Sequence, residues 1–196
     1  MGTHASIDTP SPWIVRWADA IPVSGTVLDL ASGSGRHVRF LAARGLRVTA
    51  VDRDGEALAR CEGAAERIQA DLEGAPWPLA GRRFDAVVVT NYLWRALMPQ
   101  VVDSVAAGGL LLYETFARGN ERFGKPSNPE FLLRAGELLA LVPGLHVLAF
   151  EDGMADMPTR RIQRLAAWRA PAADAMPPRL AASEQALKST HSQDPP

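Results

Sequence analysis

The chain has 196 residues, 47% of them hydrophobic, enough to bury one core of ordinary domain size. Its 21 Lys and Arg against 22 Asp and Glu leave a net charge of -1, which provides no broad field for gathering nucleic acid or an anionic membrane surface. Cys61 is the only cysteine, so an intrachain disulfide framework is excluded and a reducing compartment, the cytoplasm, is the expected setting.

In chain order, the polar, Pro-containing stretch 1–12 has neither the basic start nor the apolar run of an export signal, and no later apolar run reaches membrane-spanning length. Trp13 and Trp17 recur at i and i+4, which predicts a helical stripe facing the core. Strand-like runs follow at 26–30 and 46–51, with a helix over 37–44 between them that carries Val38, Leu41 and Ala42 at helical spacing and is stopped by Gly45. A helix over 55–66 leads to a short strand at 67–70. The run 84–89 is continuously apolar, as in a strand buried on both faces of a parallel sheet. A helix over 97–105, a strand at 110–114 and a helix over 128–141 come next. The loop 116–129, with Arg118, Arg122 and Lys125 among glycines and prolines, is expected at the surface. Strands at 145–150 and 161–168 are expected as an antiparallel pair. From 171 to 196 the composition turns to Ala, Pro, Ser and Gln without a period, reading as a disordered tail with at most a frayed helix over 181–188. The expected organisation is one domain over 1–170, with 1–24 as an N-terminal cap segment, built on a seven-stranded, mostly parallel α/β sheet with helices on both faces.

In such a sheet, ligands sit beyond the carboxyl ends of the strands near the point where strand order reverses. There the sequence reads Val27-Leu-Asp-Leu-Ala-Ser-Gly-Ser-Gly-Arg-His37. Gly33 and Gly35 allow a tight turn and a close backbone approach. Asp29, inside the strand, would repel a pyrophosphate but suits a cationic group, and Val38 stands where the dinucleotide fingerprint needs a third glycine. Asp52 follows Asp29 by 23 residues, at the end of the second strand, where an acid accepts hydrogen bonds from two ribose hydroxyls. Asp71 beside Leu72 pairs an acceptor for an amino group with an apolar surface for a ring.

Asp29 to Gly35, Asp52 and Asp71-Leu72 together resemble the motifs of the class I S-adenosylmethionine (SAM)-dependent methyltransferases, over about 27–168. The resemblance implies a Rossmann-like fold, SAM as cofactor and S-adenosylhomocysteine (SAH) as product. It places Asp29, Ala31, Ser32, Gly33, Gly35, Asp52, Arg53, Asp71 and Leu72 at the cofactor, with Asn91 and Tyr92 beside the transferred methyl. Ala31 departs from the family, which has a glycine there. The segment 131–138 looks like the small-molecule tellurite-resistance and thiopurine branch, in which residues 11–17, 93–96 and 116–129 would cover the acceptor.

Methyl transfer from a sulfonium needs positioning and exclusion of water more than proton transfer. Tyr92, Tyr113, Glu114 and His37 are candidates for a base if the acceptor is a hydroxyl, but none forms a recognisable pair. A small-molecule acceptor is the expected partner, without membrane, with nucleic acid disfavoured by the charge balance, and with the chain a monomer or weak dimer. The competing readings are an RNA- or protein-directed methyltransferase, although Thr90-Asn-Tyr-Leu stands where base-amine enzymes carry an Asn/Asp-Pro-Pro-aromatic motif, and a non-catalytic SAM-binding regulator. His4, His37, His146 and His191 show no metal-ligand spacing, so no metal is expected.

Overall fold

A computed structural model describes residues 8–156 and 158–178. Seven strands form one sheet in the order β3-β2-β1-β4-β5-β7-β6. They are β1 (Thr26–Leu30), β2 (Arg47–Asp52), β3 (Glu66–Gln69), β4 (Phe84–Thr90), β5 (Val105–Phe116), β6 (His146–Ala155) and β7 (Arg160–Trp168). β1 to β5 run parallel, and β7 lies antiparallel between β5 and β6. This is the expected α/β sheet with its reversal of strand order between β1 and β4. The described part of the expected tail, 171–178, has turns and bends without regular structure. The frayed helix expected over 181–188 lies outside the described residues.

Strand alternation gives the sheet two faces, each with its own core. Val27, Val48, Val88 and Leu112 pack against α1 (Pro12–Trp17), α2 (Arg36–Ala42) and α3 (Gly55–Ala59), through Trp13, Ile14, Trp17, Val38, Leu41 and Leu58. Leu28, Leu30, Val87, Val89 and Leu111 pack on the other face against α4 (Met98–Asp103) and α5 (Glu137–Ala140). A six-residue helix such as α1 has no independent stability in water, so its packing holds it: Trp13 is 1% exposed and Ile14 0%. The Trp13/Trp17 stripe therefore faces the core.

Three expected helices differ. The one expected over 55–66 is capped by Asp54, whose side chain accepts the Glu56 and Ala57 amides, but it ends at Ala59. Beyond it Cys61 lies against Gly35, and Gly63 turns the chain at a φ of 80°. The helix expected over 97–105 begins as a 3-10 turn at Arg95–Leu97 and stops at Asp103. Val105 already pairs with Phe84, and a bulge containing Gly108 intervenes before Leu110 pairs with Ala86. The helix expected over 128–141 is not continuous: a 3-10 turn at Pro129–Phe131 and α5 flank an extended, buried Leu132-Leu133. Tertiary contacts outweigh helical propensity here. Arg95 donates to the Glu130 and Leu132 carbonyls and pairs with Glu137, and Gly136 takes a φ of 67°.

Candidate active site

The loop after β1 turns through three left-handed residues, Ala31, Gly33 and Gly35, at φ of 52°, 54° and 81°. Such a φ strains an alanine by about 1–2 kcal/mol, a cost typical of loops shaped around a ligand. The loop is tied to β2: the Ser32 amide donates to the Val51 carbonyl at 3.1 Å and the Gly33 amide to Asp52 Oδ2 at 2.7 Å. Asp52 Oδ1 accepts the Asp54 amide at 3.0 Å. A Cβ built on Gly33 would meet nothing within 4 Å, so the loop leaves open space beside it.

A pocket of about 160 Å³ opens at these strand ends, lined by Ala31, Asp52, Arg53, Ala70, Asp71, Leu72, Glu73 and Tyr92. Six of the residues named from the sequence thus share one wall: Ala31, Asp52, Arg53, Asp71, Leu72 and Tyr92. Ala70 and Glu73 complete it. Asp71 Oδ1 accepts the Glu73 amide at 3.0 Å, which sets the turn after β3. The Tyr92 hydroxyl is buried without a partner among the described residues, and burial, with Glu73 and Asp71 nearby, raises its pKa. Asn91 has a φ of 55° and an exposed side chain, and its amide donates to the Glu114 carbonyl at 2.9 Å.

Asp29 is 1% exposed, and neither carboxylate oxygen has a hydrogen-bond partner among the described residues. Burial pushes its pKa up to about 7, opposed by Arg36 and reinforced by Asp52. A buried carboxylate left without donors costs several kcal/mol in a finished fold. Its orphaned state beside the glycine loop fits a cationic ligand.

The same sheet face carries a second polar group. Thr90, Glu114, Arg164 and Glu151 are in register across β4, β5, β7 and β6. Glu114 is fully buried. Its Oε1 accepts the Ser11 hydroxyl at 3.1 Å and Arg160 at 3.2 Å, while Arg164 lies 3.7 Å from Oε2. Ser11 also caps α1 by accepting the Trp13 amide, and its own amide donates to His37 Nε2 at 3.1 Å. Burial and the adjacent Arg36 push the His37 pKa down to about 3, so His37 is a neutral acceptor.

Of the four expected bases, His37 has its lone pair occupied by Ser11. Tyr113 is buried with its hydroxyl donating to the Tyr92 carbonyl at 2.8 Å. Glu114 is paired with arginines, and Tyr92 alone lines the pocket. Arg118, Arg122 and Lys125 are exposed and do not line it. Arg36, Arg160 and Arg164 were not singled out from the sequence. Arg160 and Arg164 share a parity on β7, which is a readable signal, but only the fold brings both to Glu114 and Arg160 near Arg36.

Residues 27–109 match the family described as a methyltransferase domain. The chain is 36% identical over 110 residues to the protein-L-isoaspartate O-methyltransferase of Xanthomonas euvesicatoria, covering 52% of this chain and 48% of that one, so it spans about half the length of the curated relatives it matches. In fold it resembles TehB from Haemophilus influenzae, with a TM-score of 0.68 and 18% identity over 80% of this chain and 61% of that one. It also resembles a SAM-dependent methyltransferase from Methanosarcina mazei, with a TM-score of 0.64 and 16% identity over 83% and 99% of the two chains. Sequence match and fold point the same way: residues 27–109 are similar to a methyltransferase domain, and the sheet has the fold of SAM-dependent methyltransferases, with TehB among its structural neighbours.

Proposed function

We propose that the protein transfers a methyl group from SAM to a small-molecule acceptor. The carrying observation is the Asp52–Gly33 hydrogen bond, which sets an acid-tipped β2 against a left-handed glycine loop beside a pocket walled by Asp71, Leu72 and Tyr92. SAM supplies an electrophilic methyl on a positively charged sulfur. Asp52 would accept the ribose hydroxyls, Asp71 and Leu72 would hold the adenine by its amino group and its face, and Asp29 would face the ammonium. Ser32, Gly33 and Gly35 would give the backbone approach, with Asn91 and Tyr92 closing the methyl side. Arg53 completes the wall.

A small acceptor is supported by α1, whose capping Ser11 is pinned to His37 and Glu114, so that this segment would wall the acceptor side close to the sheet. The near-neutral charge adds to this, and the single, buried Cys61 suits the cytoplasm, with the chain as a monomer or weak dimer. Among the described residues no helix is long and apolar enough to cross a membrane. A protein-directed activity is the second reading, favoured by the name of the Xanthomonas relatives. Calorimetric titration with SAM, SAH and NADH tests the cofactor: micromolar binding of the first two supports the reading, and preference for NADH refutes it. Turnover of SAM to SAH, with small acceptors in one arm and isoaspartyl peptides in the other, then separates the two acceptors.

A further inference from the structure

The sheet face that carries Glu114 holds guanidinium donors that its carboxylates do not all pair. Arg36, the first residue of α2, is half-buried, and its contacts are at the long limit of hydrogen bonding: the Thr9 carbonyl at 3.4 Å and the Thr90 hydroxyl at 3.5 Å. It has no carboxylate within ion-pair distance among the described residues, although it senses the fields of Glu114, Arg160 and Asp29. Arg160 donates to Glu114, yet its Nε is buried without a partner. Arg164 is committed to Glu151 as well as Glu114, and its guanidinium stacks 4.9 Å from the Trp13 ring. Glu151 also accepts Arg16 at 3.2 Å, so the carboxylates Glu114 and Glu151 are already paired with Arg160, Arg164 and Arg16, and among the described residues Arg36 is left without a carboxylate partner.

We propose that Arg36 and Arg160 form an anion seat beside the methyl-transfer position, and that the acceptor is a small molecule carrying a carboxylate that binds there. The proposal rests on the SAM-dependent reading of the neighbouring pocket. Thr90 ends β4, two residues before Tyr92 of the pocket wall, so its contact with Arg36 sets the seat near that pocket and on the sheet face covered by α1. Guanidinium donors are planar and paired, which matches a carboxylate, and with Arg160 already paired to Glu114 the one unpaired charge is that of Arg36, which a monoanion balances better than a phosphate dianion.

The test is the thermal shift of the protein saturated with SAH, and separately of the protein without it, on adding benzoate or lactate, their neutral amides benzamide or lactamide, or inorganic phosphate. The expected result is a saturable rise in Tm with the carboxylates and none with the amides, with carboxylate affinity reduced about tenfold or more in Arg36→Gln and Arg160→Gln. Arg160→Lys keeps a charge near Glu114; it is expected to fold normally and to weaken the carboxylate response severalfold, because an ammonium lacks the paired donors. An equal response to the amides, a response to phosphate alone, or an undiminished carboxylate response in both Arg160 variants would overturn the seat. Failure of SAH to bind while the carboxylate response persists would instead overturn the cofactor reading and leave the seat standing.

Discussion

Asp52 Oδ2 accepts the Gly33 amide at 2.7 Å, so the tip of β2 and the loop after β1 act as one unit. The same carboxylate holds the Asp54 amide at the entry to α3. Asp52→Ala is expected to weaken SAM and SAH binding roughly 10- to 100-fold, from the loss of charge-assisted hydrogen bonding worth about 1.5–3 kcal/mol in all. Asp52→Asn, which retains one acceptor oxygen, should fall between. Calorimetry decides, and unaltered affinity in Asp52→Ala would remove this residue from the site.

The buried Asp29 makes a pH prediction. Its folded pKa of about 7 lies above the ordinary 3.8, so between these values the folded state binds more protons than the unfolded state. Its contribution therefore favours folding at low pH and is lost as pH rises from about 4 to about 7. Asp29→Asn should remove that loss and gain on the order of 1–4 kcal/mol at neutral pH, read by urea denaturation across the range. A cationic ligand beside Asp29 would drive it to ionise. SAM binding at pH 6.5 should accordingly release protons, visible as a buffer-dependent calorimetric heat in the wild type and absent in Asp29→Asn.

His37 has the opposite sign. Its pKa of about 3 lies below the ordinary 6.5, so between them the unfolded state binds more protons, and stability from this site is lost as pH falls below about 6.5. His37→Phe should abolish that acid sensitivity and leave the Ser11 amide unpaired, at a cost of about 1–3 kcal/mol at pH 7. In the wild type the two slopes oppose each other between about pH 4 and 6.5. The two variants should show stability profiles of opposite slope, and profiles parallel to the wild type would refute the assignment.

Gly33 and Gly35 share a left-handed backbone but differ in what surrounds them. A Cβ at Gly35 would stand 2.7 Å from Cys61 Sγ and 2.8 Å from its Cα, whereas Gly33 faces open space. Gly33→Ala is expected to fold with a loss of about 1–2 kcal/mol while SAM binding weakens, because the methyl enters the space for the ligand. Gly35→Ala adds displacement of a buried residue and should cost roughly 3 kcal/mol or more. Equal thermal stabilities of the two variants would contradict this difference.

Where a signal is local, the sequence carried it. The strand at 26–30 coincides with β1, and the other strands fall within a few residues of their expected places, apart from β5 and β6, whose extensions pair across bulges or with β7. The alternation of strands and helices determined the parallel sheet, and Asp52, Asp71 and Tyr92 meet at one pocket because parallel strands align their carboxyl ends. The breaks in the helix expected over 128–141 were not legible, since they depend on Arg95 binding carbonyls 35 and 37 residues away. The polar group around Glu114 was equally hidden. Ser11 meets Glu114 across 103 residues, and Arg160 meets it across 46. Composition, backbone propensity and strand order thus determined the fold class and the cofactor motifs, because each acts along a short stretch of chain. Only the tertiary structure decided the charge balance around Arg36, because burial and unpaired donors arise when distant segments exclude water together.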